Sequence, residues 1–393
     1  MIITSPKLIN IYLSENIKLN IWFEFIKDIV NQIKQITDMK YESIYQGVTR
    51  FYTYVIGMVP LTTFVFFPNT KNLDDYKQIL TNELTFYHKL DHKTIDIILQ
   101  IIKKQNHEAR KKIKNTIESL QLPKNVQINL TDMNHKIKFN IICQDYQNNF
   151  ILSKKHYHRL KTMYNNRKDN DNDNNKEDVD FWICLLLLRY RYYGKDLESF
   201  CLAIDIFYEF IKKYQLESNA LEAFAGSLNS TLHDYCSLFY DIEKKFGSNG
   251  SFFQMDLNQY KRHIIVANPP YIAEIIHAMF DKLLDYLDRR SNSTILISIP
   301  DWRSTKEYEK DLGIQINLGL KERKRYETQY QGYSNIRHSK YFKYVIAIEN
   351  LSYYNFFADT RRNINVPTLI VVLSNNNNNE LSEKFKKFII EKV

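Results

Sequence analysis

The sequence predicts an α/β fold preceded by a mainly helical region, and three observations support this prediction. Residues 22–36 and 95–113 place apolar side chains at helical spacing. From Leu221 onward, short apolar runs alternate with helical stretches, as expected of an α/β sheet. At 393 residues the chain is long enough for roughly two or three compact units. We therefore expect a mainly helical domain over residues 1–215 and a sheet domain over residues 216–393.

The remaining elements can be assigned in chain order. Alternating apolar residues over 126–130 and 136–142 predict a hairpin, because Asp132, Met133 and Asn134 between them favour a turn. Residues 165–178 are almost wholly Asn, Asp, Lys and Glu and predict an exposed loop. Helices are predicted over 181–192 and 197–214. The sheet strands are predicted at 221–225, 263–267, 294–299, 344–348 and 368–373, the last two as an antiparallel pair at the sheet edge.

Composition and charge restrict the class of protein. There are 54 Lys and Arg residues against 45 Asp and Glu, a formal net charge of +9, which favours an anionic partner such as nucleic acid. The four cysteines form no closely spaced pair of the kind that zinc or redox motifs use. We expect no metal and a reducing intracellular compartment, cytoplasmic or nuclear. The longest apolar run, residues 183–188, is shorter than the ~20 residues that span a bilayer, so no membrane association is expected.

The sharpest motif, Asn268-Pro269-Pro270-Tyr271, ends the second predicted strand of the sheet. Two prolines cannot continue a strand ladder, and ligands of open α/β sheets bind beyond the carboxyl ends of strands. The Asn268 side-chain oxygen and the Pro269 carbonyl can accept the hydrogens of an exocyclic amine, which directs its lone pair toward a methyl donor. Tyr271 offers a face on which an unpaired base can stack. These four residues are therefore candidate catalytic residues for adenine N6 methylation, although Asn-Pro-Pro could also merely terminate the strand.

An upstream turn is a candidate binding site for S-adenosylmethionine (AdoMet). A strand there runs into small residues, so that backbone N–H groups can approach a nucleotide-like ligand. One glycine falls short of a glycine-rich fingerprint, but the two turns together are more specific. The candidate cofactor-binding residues of the turn are Glu222, Ala223, Phe224, Ala225, Gly226 and Asn229. Further along, Asp241, Gly247 and Asp256 are candidates for the ribose and adenine of the cofactor, although either acid could instead cap a helix or face water.

The segment between the two turns is short. About 42 residues separate Gly226 from Asn268, whereas each full βα unit takes ~30 residues. We therefore expect the middle of the sheet to be abbreviated.

Taken together, these motifs resemble a known family, the phosphorylated-CTD-interacting-factor type of methyltransferase, which modifies the cap-adjacent adenosine of mRNA. The resemblance runs from about Phe181 to Leu373 and rests on the order and spacing of several segments. They are Cys184–Tyr190, Glu222–Asn229, Phe246–Ser248, Asn268–Tyr271, Glu274–Met279, Ile299–Arg303 and Tyr326–Tyr330. The resemblance implies a Rossmann-like class I methyltransferase domain over residues 216–393, paired with a helical domain over residues 1–215 that binds RNA and its cap. It also implies AdoMet as the cofactor and capped RNA as the substrate, with the methylated guanosine of the cap between the domains.

Several residues are expected to contact RNA or its cap. Trp302 and Arg303 suit a cationic methylated base and its phosphates, with core packing as the alternative for Trp302. The run Arg323-Lys324-Arg325 is a candidate for backbone contacts, although most charge runs are only solvated surface. Tyr330 is a further candidate.

Two features depart from the family pattern. Tyr271 stands where animal members have phenylalanine, which preserves the stacking face. The tryptophans, Trp22, Trp182 and Trp302, do not form the paired pattern of a WW module, so we expect no such module and no docking to a phosphorylated polymerase tail through one. Two other functions remain open: a DNA N6-adenine methyltransferase, and an inactive RNA-binding subunit of a methyltransferase complex. The intact Asn-Pro-Pro-Tyr argues against the inactive subunit, and no target-recognition domain is apparent for the DNA enzyme.

Overall fold

A computed structural model of the chain describes residues 1–58, 66–68, 73–85, 90–144, 146–166, 178–191, 201–202, 205–260, 262–318, 331–348, 352–355, 360–363, 367–376 and 379–392. It divides into a first unit, Met1–Glu198, and a second unit, Ser199–Val393. No helix of the described residues is both long and apolar enough to cross a membrane. The Asn/Asp-rich loop predicted near 165–178 lies largely outside the described residues.

The division falls earlier than the predicted domain boundary after residue 215. The cause is the helix Asp205–Lys213, which the sequence assigned to the helical domain. Its side chains Phe207, Phe210 and Ile211 are buried in the core of the second unit. This helix is also shorter than the predicted span of 197–214, because Cys201–Leu202 upstream of it is a strand.

The first unit has a helical core whose ends follow recognisable capping signals. Helix α1 begins at Pro6, where the missing proline N–H costs no hydrogen bond, and α4 begins after Asp91, whose carboxylate accepts the Thr94 N–H at 2.7 Å. The described helices of this unit are α1 (Pro6–Ile36), α2 (Tyr41–Met58), α3 (Lys77–Thr85), α4 (His92–Glu118), α5 (Lys154–Asn166) and α6 (Val179–Tyr190). The helices predicted over 22–36 and 95–113 lie inside α1 and α4 and are confirmed, and the helix predicted over 181–192 is confirmed as far as Tyr190, where α6 ends.

The core of this unit buries an ion pair and an aromatic cluster. The Arg189 guanidinium on α6 makes two hydrogen bonds to the Glu15 carboxylate on α1, at 2.5 and 2.9 Å. Both residues are almost fully buried, so either charge alone would be costly in that place. Trp22 on α1 packs against Phe67 and Tyr52 and is a core residue.

The first unit also contains an antiparallel sheet of four strands in the order β1-β2-β3-β4. Its strands are β1 (Ile2–Ile3), β2 (Val126–Met133), β3 (Lys136–Cys143) and β4 (Tyr146–Ser153). Strands β2 and β3 form the predicted hairpin, and Asn134 adopts the left-handed conformation in its turn. Alternate residues such as Ile128, Phe139 and Ile141 are buried, and the residues between them are half-buried or exposed. One face of this sheet therefore packs on the core and the other faces solvent.

The second unit is a mixed α/β structure. Its described helices are α7 (Asp205–Lys213), α8 (Tyr240–Glu243), α9 (Ala273–Arg289), α10 (Thr305–Asp311), α11 (Gln331–Arg337) and α12 (Glu380–Lys392). Its strands are β5 (Cys201–Leu202), β6 (Ala220–Glu222), β7 (Ile264–Ala267), β8 (Thr294–Pro300), β9 (Gln315–Leu318), β10 (Phe342–Ile348), β11 (Ser352–Asn355), β12 (Thr360–Asn363) and β13 (Thr368–Ser374). Short 3-10 turns occur at Glu217–Asn219 and Lys244–Phe246 in this unit and at Asp74–Tyr76 in the first unit.

The main sheet has six strands in the order β6-β7-β8-β13-β10-β9, and a small antiparallel sheet joins β12, β11 and β5. Strand β13 is antiparallel to both neighbours, while β6, β7 and β8 run parallel to one another and β9 runs parallel to β10. The antiparallel pairing of β10 with β13 is confirmed. Its predicted place at the edge is wrong, because β13 inserts between β8 and β10 and every one of its residues is buried.

Two apolar layers cover this sheet. One core contains side chains of α9 and α11, including Phe280 and Tyr333, and the opposite core contains side chains of α7 and α12, including Phe210 and Phe385. Because both faces are covered, strands β7, β8 and β13 are buried along their whole length and are mostly apolar instead of alternating. This explains the continuous apolar runs in the sequence.

A change of direction in the chain separates β6 from β7. After β6 the chain forms an isolated parallel bridge between Glu222 and Tyr235, on the side of β6 that faces away from β7. It then returns to form β7 on the other side of β6 and continues to β8 beyond it. The single bridge replaces whole strands, which confirms the abbreviated sheet. Such a switch point opens a crevice at the carboxyl ends of the two diverging strands, where ligands of open α/β sheets bind.

Candidate active site

The turn Asn268–Tyr271 leaves the carboxyl end of β7 at this crevice. Pro269 is buried and Pro270 is exposed, and the Pro270 carbonyl accepts the Ile272 N–H at 2.7 Å, which closes the turn just before α9. Asn268 is half-buried. Neither the Asn268 amide nor the Pro269 carbonyl has a hydrogen-bond partner among the described residues, so their oxygens remain available to a ligand.

An aromatic pair lies across the carboxyl edge of the sheet. Tyr271, from the turn after β7, packs against the core that contains α7, whereas Trp302, from the turn after β8, packs against the core that contains α9. Their ring centroids are 6.4 Å apart and the ring planes meet at 74°. Both side chains are half-buried, so each keeps part of its surface open to solvent. Trp302 therefore combines core packing with an accessible edge.

The turn after β6 is held by its own hydrogen bonds. The Ala223 N–H donates to the Val266 carbonyl at 2.8 Å, the Ala225 N–H donates to the Cys236 carbonyl at 3.0 Å, and the Gly226 N–H donates to the Asn229 side-chain oxygen. These three donors were expected to serve a ligand, and that expectation is corrected because folding already uses them. These residues nevertheless lie next to β7 and form one wall of the crevice.

Glu222 is likewise used internally. Its side chain is 4% exposed, and one carboxylate oxygen accepts the Thr231 N–H at 2.7 Å and the Leu232 N–H at 3.1 Å. The carboxylate therefore shapes the segment that leads to the Tyr235 bridge. A cofactor-binding acid would direct its carboxylate into the crevice, and Glu222 does not.

The acid that sequence reasoning missed is Glu243. It is fully buried, and its carboxylate accepts the Ser227 N–H at 2.7 Å and the Phe239 N–H at 3.0 Å. Glu243 thus ties α8 to the turn after β6. Asp241, which was the predicted ribose ligand, is exposed in the same short helix. No sequence signal separates the two acids, because a four-residue helix has too few apolar positions to reveal its buried side.

The glycine loop is attached to the same segment. Gly247 has a φ of 91° and ends the 3-10 turn Lys244–Phe246 in a conformation that favours glycine. The Ser248 hydroxyl contacts the Ser237 hydroxyl at 2.6 Å, and the Tyr235 hydroxyl donates to the Phe246 carbonyl at 3.1 Å. The loop therefore packs against the segment around Tyr235 and supports the crevice on the side of β6 that faces away from β7.

Asp256 lies exposed in a tight turn. Its carboxylate accepts the Asn258 N–H at 3.0 Å and the Gln259 side-chain amide at 2.8 Å. It also lines a cavity of about 250 Å³, shared with Lys282 and Asp285. The Lys282 ammonium donates to the carbonyls of Phe253 and Met255, and burial lowers its pKa. Asp256 is therefore exposed and bonds only within its own turn in these contacts; facing water was one of the alternatives given for it.

Arg303 requires a correction, because its side chain has no exposed surface. Its guanidinium donates to Asp301 at 2.8 and 3.0 Å, to Asp311 at 3.0 Å and to Gln315 at 2.6 Å. Burial alone would lower the pKa of this group, but the hydrogen bonds and charge of Asp301 outweigh burial and raise it. Arg303 is a permanently charged core residue that anchors the turn carrying Trp302, not a phosphate contact. The other predicted RNA contacts, Arg323, Lys324, Arg325 and Tyr330, lie outside the described residues.

A histidine contact holds α11 against α9. The Gly332 N–H donates to His277 Nε2 at 3.1 Å, and a Cβ at residue 332 would collide with the imidazole ring. Burial lowers the pKa of His277, which favours the neutral ring that this hydrogen bond needs. On the same helix, the Tyr333 hydroxyl donates to Asp311 at 2.5 Å. Helix α11 therefore packs against the cluster around Arg303 through Tyr333.

The β6 wall of the crevice presents apolar side chains, since its backbone donors are already used within the fold. Phe224 and Ala225 are partly exposed at its β6 wall, and the Phe224 ring packs at 5.0 Å from Phe252 and 5.6 Å from Phe253. Aromatic and small side chains with few polar groups are typical of nucleotide-sized ligand sites. Phe224 and Ala225 follow β6 on one side of the crevice, and Asn268 and Tyr271 follow β7 on the other.

Comparisons with known proteins support the family resemblance. A family model described as the phosphorylated CTD interacting factor 1 WW domain matches residues 159–314. The chain is 33% identical over 93 residues to the mRNA (2'-O-methyladenosine-N(6)-)-methyltransferase of Mus musculus, which covers 23% of this chain and 12% of the mouse protein. It is 27% identical over 175 residues to the protein of the same name from Homo sapiens, which covers 42% of this chain and 23% of the human protein. The chain thus spans less than a quarter of these relatives.

The first of these matches corrects one expectation. The chain was expected to have no WW module, whereas the matching family model is described as a WW domain. That expectation relied on the spacing of tryptophans alone. The matched span is much longer than a tryptophan pair and contains the buried helix α6 and strands β7 and β8, so tryptophan spacing was the wrong criterion.

Proposed function

We propose that this chain is an AdoMet-dependent RNA adenosine N6-methyltransferase that acts on the cap-adjacent adenosine of capped mRNA, and that its second unit is a Rossmann-like class I methyltransferase domain. The observation that carries the proposal is the half-buried Asn268 amide, which has no protein partner among the described residues and lies at the switch point beside the turn after β6. The names of the mouse and human relatives support RNA adenosine as the substrate.

The reaction needs a more nucleophilic amine. The N6 nitrogen of adenosine is a poor nucleophile because its lone pair is delocalised into the ring. The Asn268 side-chain oxygen and the Pro269 carbonyl accept the two N6 hydrogens, which localises the lone pair on nitrogen. Two successive prolines restrict the backbone of the turn, so these acceptors are held in place before the substrate binds. When bound, AdoMet supplies an electrophilic methyl group.

The aromatic pair supplies the surface for the base. Tyr271 and Trp302 each keep an exposed part, and stacking of a base on an aromatic ring is worth ~1–3 kcal/mol. Stacking would fix the plane of the adenine, so that its N6 group lies level with the acceptors. A cationic methylated base, as in a cap, would gain from the same electron-rich faces.

The proposal is tested by methyl transfer from labelled AdoMet to three substrates: capped RNA that begins with adenosine, the same RNA without a cap, and duplex DNA. We expect label on the capped RNA alone. Label only on DNA would indicate a DNA adenine methyltransferase, and AdoMet binding without transfer to any substrate would indicate an inactive RNA-binding subunit. Either of these results overturns the proposed reaction.

The Asn268 assignment has its own test. Asn268→Ala should lower the rate of transfer ~10²–10³-fold and leave AdoMet affinity nearly unchanged, because it removes one preorganised polar contact. Asn115→Ala, the same change on the exposed surface of α4, is the matched control and should transfer at the rate of the unaltered protein. Near-normal turnover of Asn268→Ala would refute the role of this amide.

A further inference from the structure

The solvent-exposed face of the four-stranded sheet in the first unit is unusually rich in side-chain amides. Asn129, Asn140 and Asn149 lie opposite one another on β2, β3 and β4, so they form one row across the sheet. Gln127 and Gln147 flank this row, and each donates from its amide nitrogen to an asparagine oxygen, to Asn129 at 3.2 Å and to Asn140 at 3.3 Å. We call this surface the amide face.

The charge of the amide face is positive. Lys136 and Lys138 lie on β3 two residues apart, both are exposed, and neither pairs with a carboxylate among the described residues. Asp132, the only carboxylate in β2, has its side chain on the opposite face and binds the Lys154 ammonium at 2.6 Å. The described side chains that point from β2, β3 and β4 into the amide face therefore carry positive charge and no negative charge.

Apolar side chains on the same face remain open to solvent. Ile151 lies opposite Lys138 and is 46% exposed, and Ile142 lies opposite Gln147 and is 37% exposed. An ordinary solvated sheet face carries polar residues at such positions. These two side chains add apolar surface beside the amides and lysines of the same face.

We propose that the amide face binds single-stranded RNA, as a site that holds part of the substrate; this inference rests on the proposed function. Unpaired bases expose edges that carry both hydrogen-bond donors and acceptors, and a side-chain amide carries both as well. The lysines neutralise phosphates, and the isoleucines contact the apolar faces of bases and ribose. The backbone of an acidic protein segment also carries donors and acceptors for the amide row, but its acidic side chains offer no apolar face to Ile142 and Ile151, so RNA fits this surface better.

The proposal is tested by fluorescence anisotropy with a labelled, uncapped single-stranded RNA of about twelve nucleotides, in the whole protein and without AdoMet. The variant is Lys136→Gln with Lys138→Gln, and the matched control is Lys104→Gln with Lys111→Gln, two exposed lysines of α4. Loss of two phosphate contacts lowers the salt slope by about 1.4, so the Kd of the unaltered protein should rise ~7-fold more than that of the variant between 50 and 200 mM salt. Asn140→Ala should weaken binding without changing the salt slope.

Three results would overturn the proposal: unchanged RNA affinity in the lysine variant, an equal loss in the α4 control, or equal binding of a poly-glutamate peptide that the lysine variant abolishes. The last result would indicate an acidic protein partner. Methyl transfer to a capped trinucleotide, measured in parallel, separates this proposal from the proposed function. If the amide face fails as an RNA site, transfer persists and the variants bind RNA alike. If the enzymatic proposal fails, no transfer occurs and the difference in RNA binding remains.

Discussion

Replacing Arg303 with leucine distinguishes a buried structural charge from an RNA contact. The guanidinium makes four side-chain hydrogen bonds, to Asp301, Asp311 and Gln315, at 2.6–3.0 Å, and it has no exposed surface. Arg303→Leu fills a similar volume but leaves Asp301 and Asp311 buried without this cation. Removing one partner of a buried ion pair costs ~3–5 kcal/mol.

The expected effect on melting is large. A free energy of unfolding of ~5–15 kcal/mol is usual for a domain, so the loss is a substantial fraction of it. For a unit of this size, each kcal/mol shifts the Tm by about 2–4 °C, which gives a fall of ~6–20 °C for Arg303→Leu. Scanning calorimetry measures this fall. Lys306→Leu, which removes an exposed charge three residues later, is the control and should melt close to the unaltered protein.

The burial of Arg303 also predicts how its replacement affects the salt dependence of RNA binding. At temperatures where both proteins are folded, Arg303→Leu should change the salt dependence of RNA affinity no more than Lys306→Leu does, because a buried guanidinium releases no counterions from phosphate. A variant that melts within a degree of the unaltered protein but binds RNA with a smaller salt slope would refute this assignment. It would return Arg303 to the role of a phosphate contact.

Two further predictions concern groups that hold the crevice and the helix beside it. Glu243→Gln keeps the shape of the side chain but leaves the buried N–H of Ser227 or Phe239 without an acceptor. The free energy of unfolding should therefore fall by ~1–3 kcal/mol, and AdoMet should bind more weakly in calorimetric titration. If both values were unchanged, the hydrogen bonds of Glu243 would not support the crevice. His277 has a lowered pKa in the folded state, so the unfolded chain takes up its proton first, and this contribution to stability should be lost as the pH falls below about 6.5. Denaturant unfolding at pH 7.5 and 5.5 measures the loss, which His277→Gln should reduce because glutamine still accepts the Gly332 N–H and does not titrate; an equal pH dependence in both proteins would contradict the assignment.

Local patterns predicted the parts of the fold that depend on few residues. The apolar run before Asn268 is buried on both faces as β7, and the turn that two prolines enforce lies at the end of that strand. Strands β8 and β10 and the hairpin of the first unit were predicted for the same reason, since period and turn residues are readable within ten positions. The position of the candidate catalytic turn therefore follows from local sequence patterns.

Other residues were interpreted wrongly because their environment comes from distant parts of the chain. Arg303 reads as an exposed basic residue after an aromatic one, yet the segment from Asp311 to Gln315 folds back to enclose it. The N–H groups of the turn after β6 read as ligand donors, yet Val266 and Cys236 take two of them. Strand β13, the last strand in the sequence, was predicted at the sheet edge. It inserts between β8 and β10, a position that depends on pairing across the whole sheet.

The amino-acid sequence alone predicted the helices within α1 and α4, the strands β7, β8 and β10, the abbreviated part of the sheet and the proline turn after β7, because periodicity and proline act over short distances. Contacts between distant segments were needed to establish that Glu243 points inward while Asp241 does not, that Arg303 is a core residue, and that three asparagines align across one sheet face. These outcomes depend on which residues far apart in sequence share one buried environment, and burial determines whether a polar group serves the fold or a ligand.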